Sequence, residues 1–289
     1  MNLKGAKAVV LGGKTGLLGQ ALTNALQNEG ASVQPLSSQD ADMLDQNTMN
    51  TILDHEQPDI VFNAAAYTQV DLAEEEEEKA FALNATAPVL TARLVASRNI
   101  PFVHFSTDFV FNGRKNTPYH EEDRPNAKSV YGISKAGGEK SLLEFGYDKT
   151  LIVRISWLFG PGKMNFVQKI LELAKDKDRL NVVSDQTGSP SYTPDVAAST
   201  LELVKRDHFG IVHVANSGIA TWFDLASEAV SLAGLKCTVQ PISTSEYPTK
   251  AVRPPYSVLD LTSFCEITGQ TPRHWRQALQ EYITELEST

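Results

Sequence analysis

Tyr131 and Lys135 stand four residues apart in VYGISKAGGE (130–139). On a helix such a pair shares one face, with Cβ atoms about 5–6 Å apart. A phenol beside an ammonium suits carbonyl reduction: the phenol gives a proton to the oxygen, and the cation draws its pKa down from about 10. Lys135 is also placed to hydrogen-bond a nicotinamide ribose. Thr107, closing the run PFVHFST (101–107), adds a hydroxyl able to hold the substrate oxygen beside the tyrosine. An isolated Tyr-x-x-x-Lys pair occurs by chance in many helices, so its meaning depends on a hydride donor nearby.

LGGKTGLLG (11–19) provides the place for one. Gly13, Gly16 and Gly19 follow a short apolar run and open a helical pattern, the context of a dinucleotide-binding turn. Glycine there permits the tight bend and leaves no Cβ to block a pyrophosphate, which faces the N–H groups of the helix N-terminus. At the expected tip of the second strand stand Ser37 and Ser38, with Asp40 and Asp42 later. The acid that grips a ribose 2′-hydroxyl is therefore missing, and Lys14 is free to reach a 2′-phosphate. This favours NADP(H) over NAD(H); with Lys14 as a plain exposed turn residue, either cofactor serves.

The elements that must position these residues follow a β-α rhythm. Runs at 7–12, 31–36, 59–64, 101–106 and 150–156 read as buried strands. Helical spacing fills 17–30, 47–56, 70–97 and 131–145. The fold class is α/β: a Rossmann-type doubly wound parallel sheet with a smaller C-terminal α/β substrate lobe. The looser second half predicts helices at 165–176, 194–206 and 275–287, strands at 180–184 and 210–216, and a loop at 185–194. Thr221 and Asp224 form a variant capping box, and AVRPPYSVLD (251–260) is a fixed loop. The boundaries are 1–155 with 190–215 for the dinucleotide unit, and 156–189 with 216–289 for the substrate lobe. The five glutamates Glu74–Glu78 point around their helix without a histidine and read as a solvated face.

The 289 residues carry a net charge of −9 with 42% apolar residues, which excludes broad binding to nucleic acid or anionic membrane. Cys237 and Cys265 fit neither a disulfide framework nor a metal knuckle, and the N-terminus lacks a signal-peptide pattern. A cytoplasmic protein, monomer or homodimer, is expected.

In order along the chain, GGKTGLLG, PDIVFNAAAYTQVDLAE, FALNATAP, FSTDFVFNG, YGISKAGGE, RISWLFGPGKMNFV, SDQTGSPSYTPDVA and VRPPYSVLD resemble the dTDP-4-dehydrorhamnose reductase family. This group lies within the extended short-chain dehydrogenase/reductases. The resemblance runs from residue 7 to about 280. It implies NAD(P)H-dependent reduction of the 4-keto group of a dTDP-linked 6-deoxy sugar, giving dTDP-L-rhamnose for surface polysaccharide, with Thr107, Tyr131 and Lys135 as the catalytic triad. It implies pyrophosphate contacts from Gly13, Lys14, Thr15, Gly16, Leu17 and Leu18. Ala64, Ala65, Ala66 and Tyr67 then line the cofactor cleft, with Asn84 beside it. Trp157 packs the sugar's methyl group or else the core, Asp108 faces its hydroxyls, and Arg253 meets the diphosphate or else ties down its Pro-rich loop; Asn165 and Phe166 either touch substrate or cap a helix. Two departures stand out. Phe109 replaces a tyrosine frequent in relatives, and Ala21 occupies the position of an acid that binds Mg²⁺ in some of them, so no metal is expected. An epimerase or dehydratase of the same superfamily, or a non-catalytic NADP-binding regulatory subunit, are the alternative functions.

Overall fold

The computed structural model describes residues 1–288. In its first half, strands alternate with helices: β1 (Lys7–Leu11), α1 (Leu17–Asn28), β2 (Ser32–Leu36), α2 (Gln46–Glu56), β3 (Ile60–Asn63), α3 (Val70–Ala73), α4 (Glu77–Phe81), α5 (Ala87–Ala96), β4 (Phe102–Thr107), α6 (Val130–Phe145) and β5 (Thr150–Ile155). The second half holds β6 (Leu158–Phe159), α7 (Phe166–Asp176), β7 (Arg179–Val183), β8 (Thr187–Gly188), β9 (Ser191–Tyr192), α8 (Thr193–Lys205), β10 (Gly210–His213), β11 (Ala220–Thr221), α9 (Trp222–Leu232), β12 (Thr238–Ile242), α10 (Thr262–Thr268) and α11 (Trp275–Glu287).

Six parallel strands form the main sheet in the order β10-β5-β4-β3-β1-β2. Every residue of β3 and β4 is buried, as strands covered by helices on both faces must be. β2 lies at the edge and accordingly tolerates Pro35. One face packs Leu18, Leu22 and Leu26 of α1 with Val196 and Leu201 of α8 and Phe264 of α10. The other packs Met49 and Leu53 of α2 with Ala92 and Val95 of α5. A separate core joins α7, α9 and α11 around Trp275 and Tyr282, both fully buried.

Chain order reverses between β1 and β3, so the crevice at their carboxyl ends is where a ligand of such a sheet sits. The capping box forms: Thr221 Oγ1 accepts from the Asp224 N–H, and Asp224 accepts from the Thr221 N–H.

The helical pattern at 70–97 is not one helix. It breaks at Glu76, and the wider π turn Ala82–Thr86 carries the chain into α5, where Pro88 sits in the first turn. The glutamate run also does more than face solvent. Glu74 accepts from the Val130 N–H at the start of α6, Glu75 pairs with Lys250, and Glu76 binds Lys79 and the Tyr67 hydroxyl. The loop expected at 185–194 contains β8 and β9, which pair with β11 and β6.

Candidate functional site

The first turn after β1 is built on Gly12. Its φ of 80° is the left-handed conformation that favours glycine, and a Cβ there would stand 3.0 Å from Ala65 N. Its carbonyl oxygen receives the Gly16 N–H at 2.9 Å. A Cβ on Gly16 or Gly19 would lie 2.7 or 2.1 Å from that same oxygen. The sequence reading placed the demand on Gly13, Gly16 and Gly19 and missed Gly12, although the Gly-Gly doublet was its signal. Gly16 is the N-cap of α1 and has no side chain to satisfy the first-turn N–H groups. Leu18 is buried in the core, so it offers a ligand its backbone. Thr15 and Lys14 are exposed on the turn.

Across the crevice, Ala65, Ala66 and Tyr67 line a cavity of about 450 Å³ with Gly12, Ser37 and Ser38. Lys163, absent from the sequence reading, also lines it. Asn84, in the π turn, is fully buried and fixes this wall. Its Oδ1 accepts from the Tyr67 N–H (2.9 Å), while its Nδ2 donates to Tyr67 O and Ser134 Oγ (both 3.0 Å). The view that no acid stands by Lys14 does not hold. Asp40 folds back to accept from Lys14 Nζ at 2.8 Å and from the Ser37 N–H and hydroxyl. These contacts hold its carboxyl well below the usual range, the Lys14 hydrogen bond foremost.

Helix α6 starts at Ser129, whose side chain accepts from the Gly132 N–H. A Cβ on Gly132 would lie 2.3 Å from Phe109 O, and one on Gly138 would lie 2.1 Å from Asn84 O. Gly132 and Gly138, rather than Gly137, let α6 press against the site; at Gly137 the nearest atom would be 3.5 Å away. Tyr131 is half-buried. Burial chiefly pushes its phenol up to about 12, with the Thr107 hydroxyl opposing and the Asp108 carboxylate adding. Lys135 does not produce the lowering the sequence suggested. Its ammonium nitrogen lies 2.6 Å from Phe105 O and 3.3 Å from His104 Nε2. Burial draws its own pKa down to about 8.

Thr107 ends β4. Its hydroxyl donates to Asp108 Oδ1 (3.1 Å) and accepts from the Phe109 N–H. Asp108 is buried, takes the Ser257 hydroxyl on its other oxygen, and is raised to about 6 by desolvation. Its carboxylate is thus engaged by protein on both oxygens.

Beyond Tyr131 opens a cavity of about 900 Å³ lined by Phe109, Trp157, Phe166, Trp222, Arg179 and Arg253, among others. Trp157, at φ 46°, lies flat on Trp222 with ring centroids 3.6 Å apart. Arg253 grips Asp71 of α3 with two hydrogen bonds (3.0 and 2.7 Å). Phe109 meets the Tyr131 ring edge-on at 5.6 Å. Asn165 caps α7 by accepting from the Gln168 N–H and binds the Tyr282 hydroxyl. Among the described residues, no group of three His, Cys, Asp or Glu side chains could hold a metal. No helix among them is long and apolar enough to cross a membrane.

Known proteins resemble the chain over nearly its whole length. The RmlD substrate binding domain family model matches residues 7–288. The spore coat polysaccharide biosynthesis protein SpsK of Bacillus subtilis (strain 168) is 41% identical over 97% of this chain and 98% of its own. A dTDP-4-dehydrorhamnose reductase of Aggregatibacter actinomycetemcomitans is 36% identical over 94% of this chain and 97% of its own. The crystal structure of dTDP-4-dehydrorhamnose reductase from Bacillus anthracis str. Ames in complex with NADP superposes with a TM-score of 0.93. It is 31% identical and covers 97% of this chain and 99% of that one. With a family model matching residues 7–288 and this end-to-end likeness, the chain belongs to the dTDP-4-dehydrorhamnose reductase family.

Proposed function

We propose that the chain reduces the 4-keto group of a dTDP-linked 6-deoxy sugar with NADPH, converting dTDP-4-dehydro-L-rhamnose to dTDP-L-rhamnose. One observation carries this reading. The Thr107 hydroxyl stands by Tyr131, Lys135 follows one turn along α6, and the Tyr131 ring meets Phe109, which lines a large cavity with an aromatic wall. That cavity also presents Lys169, Lys177, Arg179 and Arg253, a local cationic lining on a chain of net charge −9, as a nucleotide diphosphate requires.

The crevice suits a dinucleotide: glycines at 12, 16 and 19 let the turn, α1 and the Ala64–Ala65 segment pack backbone to backbone, and the uncapped N-terminus of α1 faces the turn. Residues 13–18 hold the pyrophosphate, Ala64–Tyr67 with Asn84 form the wall, and Lys135 hydrogen-bonds the ribose. Bound NADPH supplies the hydride. Tyr131, with its pKa raised to about 12, stands as the neutral phenol at neutral pH and gives its proton to the sugar O4 as charge grows there. Thr107 orients that oxygen, and Asp108 steadies Thr107 from below. The Trp157–Trp222 stack is the apolar platform for the 6-methyl group, and Arg253 exchanges Asp71 for the diphosphate. In this reading, residues 1–155 with 190–215 carry the cofactor, and 156–189 with 216–289 carry the sugar. Two free cysteines, Cys237 and Cys265, suit a cytoplasmic enzyme.

The test is NADPH oxidation by the purified chain across a panel of nucleotide-linked 4-keto sugars. We expect turnover of the dTDP-4-keto-6-deoxy compounds, and a Tyr131→Phe variant slowed by about 10²–10⁴-fold. A protein that retains NAD stoichiometrically and never consumes NADPH would instead mark an epimerase.

A further inference from the structure

His104 has no part in the reduction as proposed above. It lies at the centre of β4, directly opposite Asn63 in the sheet register, and both residues are fully buried. Its Nδ1 is 3.1 Å from Asn63 Nδ2, and its Nε2 is 3.3 Å from Lys135 Nζ. Burial, with the Lys135 charge adding, holds its pKa well below the ordinary value, so the ring is neutral and carries one proton.

The surroundings decide which nitrogen carries it. Asn63 Oδ1 accepts the Ala65 N–H at 3.1 Å. Its amide NH₂ therefore faces the imidazole and donates to Nδ1, leaving the ring proton on Nε2. The opposite tautomer would need the Asn63 amide turned over. That sets its NH₂ against the Ala65 N–H and forfeits a partly buried hydrogen bond. An Nε2–H aimed at Nζ meets a donor if Lys135 is an ammonium and a lone pair if it is an amine. Phe105 O still takes one lysine N–H in either state.

We propose that His104 is a positioning residue for Lys135: Asn63 fixes its tautomer with the proton on Nε2, and that N–H favours the amine form of the lysine over the ammonium. The line Ala65–Asn63–His104–Lys135 thereby eases release of the lysine proton, one helical turn from Tyr131. The lowered pKa of Lys135 agrees with this. Other groups near Lys135 are accounted for. Glu139, one turn along α6, favours the ammonium, but both its oxygens are held by Arg154 of β5 at 2.9 and 2.7 Å. Tyr131 lies one turn back with Asp108 beside it, and β3 and the π turn contribute the amides of Asn63 and Asn84.

The meaning of this arrangement for catalysis rests on the reductase reading, but the wiring itself is tested without turnover. In ¹⁵N- and ¹³C-labelled protein, two-bond proton–nitrogen spectra of His104 should show a protonated Nε2 and a bare Nδ1 from pH 6 to 8. The Lys135 Cε signal should titrate near pH 8. Asn63→Asp supplies an acceptor for Nδ1–H. It should move the ring proton to Nδ1 and raise the Lys135 transition by at least one pH unit. In a His104→Phe background the same change should move Lys135 by less than half as much. A proton on Nδ1 in the wild-type protein overturns the proposal. So does an Asn63→Asp shift of equal size with and without the imidazole, which would show a direct effect of the new charge. If the variants do not fold, the wild-type tautomer decides. Absence of keto-sugar turnover would defeat the reductase reading while leaving these spectra to judge His104.

Discussion

Asp40 follows the end of β2 by four residues, yet its carboxylate returns to Lys14 and Ser37. On the proposed reading this is the place where the cofactor's ribose is discriminated, and the cation proposed to meet a 2′-phosphate is already engaged by an acid. Both side chains are partly exposed to solvent, which keeps the pair weak and its exchange inexpensive. Asp40→Asn frees Lys14 and removes a negative charge from that spot. The expected outcome is a KM for NADPH lower by roughly threefold with the KM for NADH unchanged. An unchanged ratio of the two constants would remove Lys14 from the discrimination.

At the scale of elements, the contact between α6 and the π turn sets how deep Tyr131 and Lys135 sit. Two adjacent glycines of α6 make opposite predictions. Gly138→Ala puts a methyl group 2.1 Å from Asn84 O, a backbone atom, so the helix must withdraw. That costs about 1–3 kcal/mol and loosens the Asn84 clamp on Tyr67. Gly137→Ala meets its nearest atom at 3.5 Å and gains up to about 1 kcal/mol of helix propensity. Thermal melts should therefore shift in opposite directions, with NADPH affinity falling in Gly138→Ala alone. Two downward shifts would mean that the tight contact is not at Gly138.

Across the whole molecule, the segment 250–257 is stitched to the first half of the chain beside the candidate site. Asp71 takes Arg253 and the Ala251 N–H, Glu75 takes Lys250, and Asp108 takes Ser257. The main sheet also buries histidines in neutral form. His213 on β10 is pushed down to about 3 by burial and the Arg154 charge, and His104 is lowered too. Their unfolded counterparts take up protons below about pH 6.5, so these groups stabilise the fold above that pH. The contribution is lost progressively as pH falls towards their folded values. Asp108, raised to about 6, and Glu121, also raised by burial, act in the opposite sense. Urea midpoints at pH 7 and pH 5 should show a smaller acid loss in His213→Gln than in the wild type. An equally steep loss would clear His213.

The sequence by itself determined the β-α rhythm, the glycine turn, the Tyr131–Lys135 pair and the threonine at the end of β4. Each is written in local spacing that a strand, a turn or one helical turn obeys. It did not reveal Gly12 as the left-handed residue, the break of 70–97 into three helices and a π turn, or the partners of Arg253, Asp108 and Lys14. Nor did it show His104 behind Lys135. Those depend on which strands lie side by side and which loops fold back, as when β3 and β4 bring Asn63 level with His104 across 41 positions of chain. Hydrogen-bond partners and burial, and through them the protonation of the site, belong to tertiary contacts that no local pattern encodes.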